Sequence, residues 1–217
     1  MKLAYVLGEF PSLSETFILR EILELRRRGF EISLFALNRP AVGVVHAEAA
    51  PLLEAVRYRP AVLSATSLAA MWHFGFRHPR RLVRAIGQTV AATASHPRMM
   101  LHCLRNVPTA AFFARNALSF GAAHVHAHFA SMPADVAWMM STLMACDFSI
   151  SAHAAIFICN RVGRWRASFA QPGSWLSVPG TGPMKFGAGW ARGQVTCAWF
   201  LTAYHSTRAS PPMTVPR

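Results

Sequence analysis

Three histidines alternate near the middle of the chain, His124, His126 and His128 in the run AAHVHAHFA. A period of two places all three on one face of a strand. Imidazoles gathered on one face can ligate a metal or hydrogen-bond within a buried strand end. No neighbouring carboxylate or cysteine cluster completes a metal set in the sequence, so the hydrogen-bonded strand end is expected and no metal. His128, nearest the carboxyl end of that strand, is the candidate for a cleft. A further histidine, His153, follows the run FSISA at the end of another strand. No nucleophile or acid/base dyad stands out, and Asp135, in the next helix, has no assigned role.

A second polar group follows the apolar run Leu3-Ala4-Tyr5-Val6-Leu7. It comprises Gly8, Glu9, Ser12, Ser14, Glu15 and Thr16. In open α/β sheets ligands bind at the carboxyl ends of the strands, which is where this loop would stand. A more modest role for Ser14, Glu15 and Thr16 is to cap a helix, and Ser12-x-x-Glu15 has capping-box spacing. One residue can do both.

The elements around these residues follow from periodicity. Leu3 to Leu7 suits a buried strand. Ile18, Ile22 and Leu25, widened by Leu19 and Leu23, mark an amphipathic helix that Gly29 stops. Phe30 to Leu37 reads as a second strand. Strand, helix, strand is the opening unit of a parallel α/β sheet. From Asn38 to Arg59 the chain loosens, with a short helix around Ala47 to Val56. Ala61 to Phe120 reads as three helices broken by proline, with starts marked at Pro79, Pro97 and Pro108. Ala122 to Ala130, Pro133 to Ala145 and Phe148 to Ala152 read as strand, helix and strand. The expected class is therefore α/β, a Rossmann-like parallel sheet flanked by helices, followed by an irregular or disordered C-terminal tail.

Composition narrows the function classes. The 217 residues are 53% hydrophobic and 14% charged, yet no uninterrupted apolar run reaches the ~18 residues of a membrane span. Cys103, Cys146, Cys159 and Cys197 form no CxxC pair, which suits a reduced, cytoplasmic protein. The net charge of +13 raises nucleic acid as a partner. However, the basic residues are dispersed among aliphatic ones and no nucleic-acid module is recognisable, so no nucleic-acid partner is expected. Arg80, Arg81, Arg84, Arg98, Arg105 and Arg115 sit among Leu, Val, Met and Phe. They either snorkel into water from helices that cover the sheet, or rest on an anionic membrane surface. The second reading implies peripheral attachment at the inner membrane face.

The segment from Glu9 to Gly29, EFPSLSETFILREILELRRRG, together with HVHAHF at 124–129 and FSISAHA at 148–154, resembles a known family. It is similar to bacterial retaining glycosyltransferases of the GT-B fold, most of all the exopolysaccharide (colanic-acid-type) group. The resemblance covers residues 1–157 and implies the N-terminal, acceptor-side domain. It implies transfer from a nucleotide sugar to a lipid-linked or polysaccharide acceptor, with no separate cofactor. The loop after the first strand would face the diphosphate and the acceptor through Gly8, Ser14, Glu15 and Thr16. His153 matches a catalytic-site histidine that lies beside the transferred sugar and positions it.

Residues 158–217 depart from that pattern. All nine acidic residues precede Phe148, and four of the six tryptophans follow Asn160 among Gly, Pro, Ser and Arg. This segment reads as translation in a wrong frame, or as a basic flexible tail, with little packed structure expected. The Glu-x7-Glu element that holds the donor in the family is missing, so the chain alone is expected to be inactive. The alternative is a non-catalytic module that binds a membrane surface or a partner.

Overall fold

The computed structural model describes residues 1–12, 16–40, 47–129, 131–151, 174–178 and 182–185. Strand β1 (Lys2–Glu9) leads into helix α1 (Thr16–Arg27) and strand β2 (Glu31–Asn38). Helix α1 buries Ile18, Leu19, Ile22 and Leu25, the stripe its sequence period predicts. It ends where Gly29 takes φ +85°, a conformation that costs glycine little. The Phe30 N–H then donates to Leu25 O at 3.0 Å and closes the last turn.

After β2 come a 3₁₀ turn (Ala47–Ala49), helix α2 (Ala50–Leu53) and strand β3 (Val56–Tyr58). β3 has only three residues and forms the sheet edge. Four helices follow rather than three: α3 (Ala65–Arg77), α4 (Pro79–Thr93), α5 (Pro97–Leu104) and α6 (Val107–Phe120). The additional helix is α3, which starts without proline. The Ser64 side chain caps it by accepting from the Ser67 N–H at 3.3 Å. The three prolines stand in the first turns of α4, α5 and α6, where their missing N–H is not needed. Strand β4 (His124–His128), helix α7 (Met132–Met144) and strand β5 (Asp147–Ser151) complete the repeating part.

Strands β1 to β5 are all parallel, in the order β3-β2-β1-β4-β5. Of residues 158–217, β6 (Ser174–Val178) pairs parallel with β5, and β7 (Gly182–Lys185) pairs antiparallel with β6. The rest of that segment lies outside the described residues.

Alternation along each strand divides the core in two. Leu3, Tyr5, Leu7, Ile32, Leu34 and Ala36 join α1 and α2 on one face. Ala4, Val6, Phe35, Val125, Ala127, Phe148 and Ile150 join α3, α4, α6 and α7 on the other. Phe74 and Phe113 are fully buried there, with the Phe113 ring 5.0 Å from that of Phe35. Arg81, one of the arginines expected at the surface, turns inward. Its guanidinium donates to Leu143 O and Met144 O at 3.3 and 3.4 Å, where α7 leaves carbonyls unpaired. Among the described residues no helix is long and apolar enough to cross a membrane.

Candidate functional site

The strand order reverses between β1 and β4. The chain moves outward through β2 and β3 on one side of β1, then returns to add β4 and β5 on the other. Helices that leave adjacent strands at such a point diverge to opposite faces and open a crevice at the carboxyl edge. Gly8 and Glu9 end β1 on this edge, Thr16 starts α1 beside it, and His128 and Phe129 end β4. Both α1 and α7 begin here, so their first-turn N–H groups give the edge a positive bias suited to an anion.

Three features shape this edge. A Cβ on Gly8 would stand 3.6 Å from Pro133 Cγ in the first turn of α7, so a long side chain at position 8 would meet that helix. Tyr58, on the edge strand β3, donates to Phe10 O at 3.0 Å and holds the loop after β1. Phe129 has φ 65°, and its N–H donates to Ser151 O at 2.8 Å. A bulky residue rarely adopts a left-handed backbone, and such strain concentrates at functional sites.

The three histidines of β4 do share one face, and it is the face that carries α1. Ser149 of β5 stands opposite His126 in register. Its Oγ lies 2.7 Å from His124 Nε2 and 2.7 Å from His126 Nδ1. A serine hydroxyl has one proton, so it donates to one imidazole and accepts from the other. Ser151 Oγ reaches His126 Nε2 at 3.2 Å. Burial pushes His126 down to about 3, with the nearby His128 acting in the same direction. Burial likewise lowers His124 to about 4, partly offset by Asp147. Both are therefore neutral hydrogen-bonding groups near neutral pH.

Sequence reasoning missed the fourth member of this cluster, Glu21. It lies on the stripe of α1 between Ile18 and Leu25, three residues after one and four before the other. A carboxylate in a buried stripe was the available signal. Tyr5 donates to Glu21 Oε1 at 2.7 Å, and His128 Nε2 lies 3.5 Å from Glu21 Oε2. Burial opposes ionisation of Glu21. Its pairing with His128 outweighs that, helped by His126 and the Tyr5 hydroxyl, and holds it down at about 2. Burial, reinforced by Glu21, keeps the Tyr5 phenol well above its usual range, so it remains a donor.

The carboxylate that appeared to be missing beside the histidines is thus supplied by α1. The possible ligand atoms of Glu21, His126 and His128 lie within 4.8 Å of one another. Two imidazoles and one carboxylate form a donor set that metals use. Here the bonds to Tyr5, Ser149 and Ser151 also account for it as a network tying α1 to β1, β4 and β5. The His128 ring is buried, with Phe17 and Phe129 edge-on at 6.1 and 6.4 Å between centroids. It therefore backs the crevice wall from behind these rings. Phe17 itself is partly open to solvent.

Of the sequence-derived residues, the fold brings Gly8, Thr16 and His128 to one edge. Ser14, Glu15 and His153 lie outside the described residues. Asp135, without a role in the sequence, is buried in the first turn of α7, where a negative charge favours the helix N-terminus. No protein-family model matches the chain, and neither a curated protein nor a solved structure matches it.

Proposed function

We propose that residues 1–157 are the acceptor-side half of a GT-B glycosyltransferase acting from a nucleotide sugar onto a lipid-linked or polysaccharide acceptor. The observation that carries the reading is a coincidence of position. The segments that resemble the family meet at the carboxyl edge through Glu9, Thr16, His128 and Phe129, where the strand order reverses. Two helix N-termini and the polar loop after β1 suit a diphosphate, which needs electrostatic stabilisation as it leaves. In this reading Gly8 lets the first turn of α7 pack close against the end of β1, while Ser14, Glu15 and Thr16 present hydroxyl and backbone groups to the diphosphate. His153 positions the transferred sugar. His128 is a positioning residue: through Glu21 it fixes α1 and hence the loop.

The donor-binding element has no counterpart in the sequence, because no two glutamates stand eight apart and no acidic residue follows Asp147. The 217-residue chain by itself should not turn over. The assay is sugar transfer from radiolabelled UDP-glucose, UDP-galactose or GDP-mannose to a polyprenyl diphosphate-linked sugar. No product is expected from the chain alone, and product would overturn the half-site reading.

A further inference from the structure

The separations around Glu21 are longer than hydrogen bonds and close to those between ligands on one metal ion. His128 Nε2 lies 3.5 Å from Glu21 Oε2, and His126 Nε2 lies 4.0 Å from Glu21 Oε1. A hydrogen bond from an imidazole to a carboxylate closes to ~2.7–3.2 Å. Two ligands held at ~2.1 Å on one tetrahedral ion stand ~3.4 Å apart. All the possible ligand atoms of Glu21, His126 and His128 fall within 4.8 Å of one another. An inward shift of about 1 Å in the widest pair therefore suffices to place all three on one ion.

The elements that carry these side chains are well anchored. Glu21 stands in the middle of α1, and His126 and His128 share one face of β4, next to the central strand β1. Neighbouring hydroxyls orient them. Tyr5 donates to Glu21 Oε1 at 2.7 Å, and Oε2 lies on the His128 side. Ser149 Oγ stands 2.7 Å from both His126 Nδ1 and His124 Nε2. Of the two ways to place its proton, one has His126 Nδ1–H donating to the serine and the serine donating to His124. His126 Nε2 then keeps its lone pair on the Glu21 side. Such a bond at the far ring nitrogen fixes the tautomer of a ligating histidine. Ser151 Oγ is 3.2 Å from that Nε2, and its hydroxyl can rotate away when the lone pair is taken. The Glu21 side chain is 31% exposed, so an ion can reach the donor atoms from solvent.

We propose that Glu21, His126 and His128 bind one first-row divalent metal ion, with zinc the expected occupant. Two imidazoles and a carboxylate, with water in the fourth position, suit zinc and its substitute cobalt. Magnesium and calcium prefer oxygen ligands. The ion fastens the middle of α1 to β4, which sets where Thr16 stands on the carboxyl edge. It lies beneath α1 and does not enter the crevice, so the inference is independent of sugar transfer.

The test is titration of the full chain, stripped with EDTA, with cobalt(II), zinc(II) and magnesium(II). One equivalent of cobalt is expected to give the visible absorption of a four-coordinate ion, zinc should abolish it, and magnesium should not. Zinc should also raise the melting temperature. Glu21→Gln and His128→Gln should each weaken zinc binding at least about a hundredfold. Tyr5→Phe and Ser149→Ala, which act through the ligands, should weaken it by about 10–100-fold. His102→Gln, on the exposed surface of α5, should leave it unchanged. Because Glu21 also supports the fold, a second measurement uses the wild-type chain alone. In long-range 15N–1H spectra of the imidazoles, zinc should shift Nε2 of His126 and His128 and leave His102 in place. No cobalt absorption at one equivalent, wild-type zinc affinity in Glu21→Gln and His128→Gln, or shifts confined to other histidines would each overturn the proposal. Displacement of cobalt by magnesium as readily as by zinc would also overturn it.

Discussion

Glu21 is the residue on which the wall of the crevice most depends. It is a carboxylate held ionised beneath α1, with Tyr5 donating to it and His128 beside it. Replacing it with alanine leaves the Tyr5 hydroxyl and the His128 ring without that partner. A loss of about 1.5–3 kcal/mol in denaturant unfolding is expected, the scale for a hydrogen bond to a charged group. Acidification should act in the same direction. Glu21 is lowered to about 2 when folded, so the stability it contributes is full above its unfolded value and is lost as pH falls toward 2. His126 and His124 are lowered to about 3 and 4, so the unfolded chain takes up protons first below about 6.5 and is favoured there. Unfolding midpoints should therefore drop steadily from pH 6.5 to 4. His126→Gln should flatten that slope by up to about 1.4 kcal/mol per pH unit. A midpoint independent of pH over this range would contradict the assignment.

At the scale of elements, the strongly periodic segments were legible in the sequence. β1, α1, β2, β4, α7 and β5 stand within a few residues of where periodicity put them, because their apolar faces repeat at two or near 3.6 residues. β3 was not legible, since three residues of an edge strand carry no period. It nevertheless brings Tyr58 to the loop after β1. Glu21 was missed for a different reason: its partners His126 and His128 lie in the other half of the sequence, and only the adjacency of β1 and β4 unites them. Gly29 offers a clean check on the helix-to-strand turn. No atom lies within 4 Å of a Cβ placed there, so the penalty of Gly29→Ala comes from its φ of +85° alone. About 1 kcal/mol of lost stability is expected by chemical denaturation. Phe74→Ala, which opens a cavity between α3 and the core, should cost more, about 3–5 kcal/mol.

At the scale of the whole molecule, two surfaces stand apart. The carboxyl edge of the sheet offers a crevice with helix N-termini, and the outer face of α3 and α4 offers aromatics among arginines. At the carboxyl edge a lipid-linked acceptor would present its sugar beside the donor's diphosphate. The two can be separated by a ligand whose tail is too short to form a bilayer. The deciding measurement is a 15N–1H titration of the full chain with citronellyl diphosphoglucose, a soluble short-chain lipid diphosphate sugar. The acceptor-side account predicts saturable shifts at the amides of Gly8, Glu9, Thr16, Phe17 and Phe129, weakened by Gly8→Leu. Shifts confined to α3 and α4, or none at all, would contradict it.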